Sequence, residues 1–369
     1  MNWTEYTLGE LLSYEQPTNY IVESTKYNDK FLTPVLTAGK TFILGYTNEK
    51  DGIYSDLPVI IFDDFTTASR YVNFPFKVKS SAMKILTPNI ELVIPKFIYY
   101  RMQAIQFDSS THKRYWIQQY SKIKVAVPPI LVQEQIVSRI EELFSKLDKG
   151  VETLQTIKQQ LAVYQQVILK EEFAETTKYA PFGTIMQSRL GKMLDKKKNT
   201  GVLQRYLRNI NVRWFSFDLS DIQQMKIEPS EHEKYSIEPG DLIICEGGEP
   251  GRCAVWESSE TVYYQKALHR VRFCADKNPK YYMYYLWYAA QCGKLSSYFT
   301  GTGIKHLTGQ SLERVPVPVI ERENQDSVVE RIETHLSVCK SIEMTICTAL
   351  MQADAMRQSI LKQAFEGKL

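Results

Sequence analysis

Ile136-Val137-Ser138-Arg139-Ile140-Glu141-Glu142-Leu143 and Val328-Val329-Glu330-Arg331-Ile332-Glu333-Thr334-His335 are one phrase written twice. Each opens a run in which alternating steps of four and three residues land on one stripe. The first stripe is Ile136, Ile140, Leu143, Leu147, Gly150, Leu154, Ile157, Leu161, Tyr164 and Ile168. The second is Val328, Ile332, His335, Cys339, Ile342, Ile346, Ala349, Ala353, Met356 and Ile360. The offset is constant at 192 residues (328 minus 136), and fixed words recur across it. Arg139-Ile140-Glu141 matches Arg331-Ile332-Glu333, and Leu169-Lys170-x-x-Phe173 matches Leu361-Lys362-x-x-Phe365. A register held over about 35 residues marks a duplicated heptad helix. Gly150 breaks the first seam, with Val151 beside it to cover part of the gap.

Each copy spans about 40 residues, which as a helix is roughly 60 Å. A narrow apolar stripe needs a partner carrying the same stripe, and the chain supplies one. The first helix leads away from one module and the second must return along it. The expectation is an α+β chain in which two mixed α/β modules are separated by two long antiparallel coiled-coil helices, with pseudo-twofold symmetry. A parallel coiled coil between two copies of the chain stays open as an alternative.

The 369 residues accommodate two domains plus helices, and the net charge of +3 neither demands nor excludes nucleic acid. The six cysteines lie at 245, 253, 274, 292, 339 and 347, without a C-x-x-C pair, which reads as a reduced cytoplasmic protein. Cys245, Cys253, His269 and Cys274 fit no standard zinc spacing, so no metal site is expected. No 18-residue apolar run and no leader pattern occur, so no membrane is expected.

In chain order, Leu8-Gly9-Glu10-Leu11-Leu12 opens the first module. Pro58-Val59-Ile60-Ile61-Phe62 reads as a buried strand ending at Asp63-Asp64, followed by strand candidates at 74–78 and 83–86. Pro95 starts a helix, and Val125-Ala126-Val127-Pro128-Pro129 closes the module. The second module repeats the plan. Phe182-Gly183-Thr184-Ile185 stands for the opening turn, Gly240-Asp241-Leu242-Ile243-Ile244 for the buried strand, Pro279-Lys280-Tyr281-Tyr282 for the helix and Val315-Pro316-Val317-Pro318 for the close. The interiors differ, as two modules doing one job on two targets would.

Catalytic motifs are missing: no Walker A loop, no methyltransferase Asn/Asp-Pro-Pro-Tyr box, no H-E-x-x-H, no G-x-S-x-G and no dinucleotide fingerprint. Gly247-Gly248-Glu249-Pro250-Gly251 lacks phosphate-loop spacing and reads as a tight turn after the strand at 242–245. What the chain offers is cations interleaved with Asn and aromatic residues. In the second module these are Lys192, Lys196, Lys197, Lys198, Arg205, Arg208, Asn209, Asn211, Arg213, Gln265, Lys266, Lys305 and His306. In the first they are Arg70, Ser80, Ser81, Lys84, His112, Lys113 and Arg114. Lysines supply salt-dependent affinity for phosphates, while Arg and Asn can pair with guanine and adenine edges. The bland alternative is a solvated face. The aromatic run at 281–288 reads as core packing on a helix.

With these residues in view, the chain resembles a specificity (S) subunit of a type I restriction–modification system. The resemblance rests on the alternation of module and heptad helix. It rests also on Pro58-Val59-Ile60-Ile61-Phe62-Asp63-Asp64, Phe74-Pro75-Phe76-Lys77-Val78, Gly191-Lys192-Met193-Leu194-Asp195, Tyr206-Leu207-Arg208-Asn209-Ile210-Asn211-Val212 and the 240–252 stretch from Gly240 to Arg252. It implies target recognition domains at 1–129 and 176–319, with helical spacers at 130–175 and 320–369. Each domain would read one half of a bipartite, asymmetric site in double-stranded DNA, and the helices would set the gap. It implies a non-catalytic chain that binds no cofactor itself. Two methyltransferase (M) subunits and the restriction (R) subunits would carry S-adenosylmethionine, ATP and Mg. His335 would mark an M-subunit contact or a weak layer of the seam. The competing reading is a coiled-coil adaptor that joins two protein-binding domains without DNA. Under the first reading, deleting one heptad from both helices shortens the gap, and Arg208→Ala or Asn211→Ala alters discrimination in the second half-site.

Overall fold

A computed structural model of the chain describes residues 3–39, 41–109, 113–174, 177–195 and 199–369. Two helices of 45 and 44 residues, Ile130–Ala174 and Arg322–Phe365, carry the duplicated heptads. The first begins where Pro128-Pro129 end the preceding strand. The Pro129 carbonyl accepts from the Val132 and Gln133 amides at 2.9 and 3.1 Å, satisfying donors that a helix start leaves orphaned. The second ends at Phe365 and is closed by Gly367, whose φ of +70° lets its own amide and that of Lys368 turn back to the Ala364 and Gln363 carbonyls.

By its internal contacts the chain divides into two units, Met1–Gln155 with Cys347–Leu369, and Thr156–Ile346, so each long helix contributes to both. Within each unit the helix segments pair antiparallel. In the first, Ile140 packs with Leu361 and Ala364, and Asp148 pairs with Arg357; as one number rises the other falls. In the second, Glu172 pairs with Arg331 at 2.6 Å, and the Tyr164 hydroxyl lies 3.4 Å from His335 Nδ1. His335 is therefore a polar seam position matched by a polar partner. Two helices alone leave part of such a seam open: Ile140, Leu161, Ile168, Ile332, Cys339 and Ile346 are buried, whereas Ile157, Ile342 and Met356 are exposed.

In the first unit an antiparallel sheet runs in the order Leu12–Glu15, Met83–Pro88, Val59–Asp63, Ser69–Val72. Val59-Ile60-Ile61-Phe62 is buried throughout because both faces of the sheet are covered. Ile60 and Phe62 pack in one core with Phe97, Ile98 and Trp116. Val59 and Ile61 pack in another with Leu36, Phe76 and Val78. The strand expected at 74–78 contracts to Lys77–Val78, because Pro75 has no amide to give to a ladder; Phe76 makes a single bridge to Tyr54.

The second unit repeats the sheet order with Met186–Leu190, Leu268–Phe273, Leu242–Cys245 and Cys253–Val255. Leu242 and Ile244 face one core, Ile243 and Cys245 the other. Its second sheet, of Gln223–Ile227, Val202–Leu207, Val262–Tyr264 and Ser236–Ile237, has four strands where the first unit has three. In the Pro279–Gln291 helix, Tyr281, Tyr282, Tyr284, Tyr285 and Tyr288 are buried in the core, as the sequence suggested.

The duplication extends to individual hydrogen bonds. Gln133 and Gln325 stand 192 apart, and both are wholly buried. Gln133 Oε1 accepts from the Ile94 amide at 2.8 Å, while Nε2 donates to the Leu92 and Pro128 carbonyls. Gln325 Oε1 accepts from the Asn278 amide at 2.8 Å, while Nε2 donates to the Ile320 carbonyl. Lys96 pairs with Glu141 at 2.5 Å and Lys280 with Glu333 at 2.8 Å, with the two glutamates again 192 apart. Each glutamine ties the start of a long helix to the loop before its module's own helix. Gln325→Leu strands a buried amide and a buried carbonyl, so a loss of about 2 kcal/mol is expected. An unchanged denaturation midpoint would show that the amide is dispensable.

Candidate nucleic-acid interface

The buried central strand of each sheet delivers an acidic residue to the same place. In the first unit this is Asp64. Its amide donates to the Ala82 carbonyl at 3.0 Å, and its carbonyl accepts from the Tyr115 amide at 2.9 Å. Its side chain accepts from the Trp116 amide at 2.8 Å and pairs with Lys84 at 3.4 Å. In the second unit Glu246 donates to the Ala267 carbonyl at 2.9 Å and accepts from the Leu307 amide at 2.7 Å. The backbone of each residue thus ties three loops together, and in the first unit the Asp64 carboxylate reinforces the tie.

In the second unit further backbone bonds draw in more loops. Lys192 donates to the Tyr264 carbonyl and accepts from the Lys266 amide, and the Gln265 amide reaches the Leu207 carbonyl, just before Arg208. A Cβ at Gly191 would lie 2.3 Å from the Gln265 carbonyl oxygen, so this approach requires glycine. Gly248, at φ +81°, lies close under the Asn209 amide group. The Gly247–Gly251 turn follows the strand as expected, closed by the Gly251 amide on the Cys245 carbonyl. His306 bridges to both Thr300 and Gly247. Arg208, Asn209, Gln265, Lys266, Lys305 and His306 are thereby brought to one set of linked loops.

Three expected site residues prove to be interior. Lys84, Lys192 and Asn211 are buried: Lys84 against Asp64 and Lys192 against Glu231. Asn211 accepts from the Arg208 amide at 2.9 Å and donates to the Asp218 and Asp221 carbonyls. Their side chains hold the loops together, so Asn211→Ala removes the loop's scaffold and not a surface contact. Arg205, Arg208 and Arg213 each face a carboxylate, respectively Glu260, Asp221 and Asp218. Arg208, with Gln223 behind it, holds the Asp221 carboxyl below its usual range. Ser220 first, and then Arg213, does the same to Asp218. Burial, the largest influence on Glu231, would raise it, but Lys192, the Glu228 amide and Lys234 together lower the carboxyl.

In the first unit Lys113, Arg114 and Ser81 are exposed, and Ser80 Oγ accepts from the Ala82 amide. The Arg114 guanidinium lies 5.9 Å over the Phe65 ring. Arg70 stands apart from this cluster, donating to the Gly39 carbonyl and lying 6.0 Å over Phe42. His112, Lys196, Lys197 and Lys198 lie outside the described residues. Among the described residues, Lys113, Arg114, Lys266 and Lys305 have no carboxylate within ion-pair distance, which leaves them as the unmatched cations of the two loop sets. The clamping role of Asp64 and Glu246 was not anticipated from sequence; their one signal is a place at the end of a buried apolar run.

The family profile of the type I restriction modification DNA specificity domain matches residues 1–162. The specificity subunit of the Escherichia coli type I restriction enzyme EcoR124I/EcoR124II is 43% identical over 174 residues, 44% of this chain and 43% of that one. The EcoKI specificity subunit of E. coli K12 is 23% identical over 271 residues, 68% of this chain and 58% of that one. The chain thus spans about half the length of these relatives. Among solved structures, a chain from a study of complex assembly and conformational transition of the type I R-M system is 15% identical, with a TM-score of 0.75 over 100% of this chain and 98% of that one. The HsdS subunit of Thermoanaerobacter tengcongensis is also 15% identical, with a TM-score of 0.55 over 100% and 97%. Residues 1–162 are thus similar to the type I restriction modification DNA specificity domain, and over its whole length the chain shares the fold of the solved HsdS subunit.

Proposed function

We propose that this chain reads double-stranded DNA for a type I restriction–modification complex, each module addressing one half of a bipartite asymmetric site. The observation that carries the reading is the clamped loop set at Glu246, where Lys266 and Lys305 remain unmatched beside Asn209 and Gln265. Lysines without a carboxylate partner suit phosphates, Lys305 donating only to the Gly301 carbonyl at 3.1 Å, and amide side chains suit base edges. The chain itself is non-catalytic in this reading. M subunits, binding S-adenosylmethionine, and R subunits, using ATP and Mg, perform the chemistry in the cytoplasm. Exposed apolar side chains on the long helices, Leu131 and Met351 in the first unit and Val163 and Val338 in the second, are the positions we assign to contacts with the M subunits. Among the described residues no helix is long and apolar enough to cross a membrane.

The test is duplex binding by the full chain with its M subunits across a salt series. The Lys266→Ala, Lys305→Ala double variant is expected to weaken binding equally on all sequences, flattening the log K against log salt slope by about 0.9 per contact. Asn209→Ala is expected instead to change the ranking of sequences. A chain that ranks no duplex above another, in any variant, sinks the reading.

A further inference from the structure

Apart from those loops, the second unit contains a cleft of about 410 Å³ whose lining includes Arg189, Glu233, Lys234, Arg270 and Arg272. The strand register places Arg189 directly opposite Arg270 and Gln187 opposite Arg272, so all three arginines leave the same face of the sheet. Like charges in directly opposed positions destabilise a sheet unless something answers them. Arg272 is answered by Asp241 at 2.7 Å and Glu238 at 2.8 Å.

Arg270 is not answered in that way. It is only 7% exposed, donates to the Ser236 carbonyl and lies 5.8 Å over the Tyr264 ring. Among the described residues no carboxylate stands within ion-pair distance of it, of Arg189 or of Lys234; Glu233 is the one acid in the lining. Burial above all draws the Arg270 guanidinium below its ordinary value; Arg272 and Arg189 add to this, and Tyr264 and the more distant Asp241 oppose it without reversing it. A buried cation held only by neutral groups gains from a mobile anion. A phosphodiester has two unesterified oxygens, which suit a forked guanidinium. The cleft also borders the reading loops: the Tyr264 hydroxyl donates to the Arg189 carbonyl at 3.3 Å, and Gly191-Lys192 follow one residue later.

We propose that the cleft of Arg189, Lys234 and Arg270 holds a backbone phosphodiester of the duplex, anchoring the second module without reading sequence. This rests on the DNA-reading function above. The test measures anisotropy of two labelled duplexes of unrelated sequence bound to the full chain with its M subunits over a salt series. Arg189→Gln and Lys234→Gln, both at exposed positions, are each expected to lower the salt slope by about 0.9 on both duplexes. Lys158→Gln, on the first long helix, serves as the charge control and should leave the slope unchanged. Unchanged slopes in Arg189→Gln and Lys234→Gln, with wild-type binding intact, overturn the cleft assignment and leave the DNA-reading function standing. Failure of the wild type to bind either duplex overturns both. If inorganic phosphate or pyrophosphate raises the wild-type melting midpoint while the slopes stay unchanged, the cleft serves a small phosphate ligand and the backbone assignment falls.

Discussion

Phe173→Ala is expected to destabilise the second unit by about 3–5 kcal/mol, the cost of deleting a fully packed aromatic side chain. Phe173 is 1% exposed, with ring centroids 5.4 Å from Tyr281, 5.4 Å from Tyr285 and 5.6 Å from Tyr288. It belongs to the first long helix yet fills the core beneath the Pro279–Gln291 helix. Its counterpart Phe365, 192 residues on, packs at 5.4 Å against Phe97 in the first unit but is only partly buried. Phe365→Ala should therefore cost less, and in the other unit. Urea titration followed by hydrogen exchange in each unit would separate the two. A loss below about 1 kcal/mol for Phe173→Ala would be incompatible with the packing described.

The second large effect is expected at Lys84. Lys84 and Asp64 have side chains 1% and 2% exposed, and removing one partner of a buried pair costs about 3–5 kcal/mol because the other charge is left uncompensated. Lys84→Met should unfold the first unit at markedly lower denaturant. The double variant Lys84→Met, Asp64→Asn should recover part of the loss, since asparagine can still accept from the Trp116 amide and carries no charge. If the double variant is worse than Lys84→Met by the full cost of a second independent lesion, the two residues are not coupled.

Lys84 also shows where reading from sequence stops. The heptads, the Val59–Asp63 strand and the Pro95–Gln103 helix were legible because periodicity and proline placement are local signals. The repeated plan of the two modules was legible because its boundary words survive at matching places. The loop clusters were legible only in composition. Nothing near Lys84 in the chain announces that Asp64 will bury it, and nothing near Arg208 announces Asp221, thirteen residues on. Ion pairing and burial are decided by which loops the sheet brings together, so a cationic stretch overstates the charge left to meet a ligand. The opposite error occurs at Arg189 and Arg270. These lie 81 residues apart (270 minus 189) and look unremarkable singly; strand pairing makes them neighbours.

The division of the long helices between units has a consequence for biosynthesis. The second unit is one continuous segment, Thr156–Ile346, whereas the first needs Cys347–Leu369 to complete it. On the ribosome the segment made first must therefore wait, its Phe97 pocket open to solvent, until Leu361, Ala364 and Phe365 emerge. The usual vectorial order, earliest domain first, is inverted. A nascent chain stalled before residue 347 would present a finished second unit beside an unfinished, protease-sensitive first one.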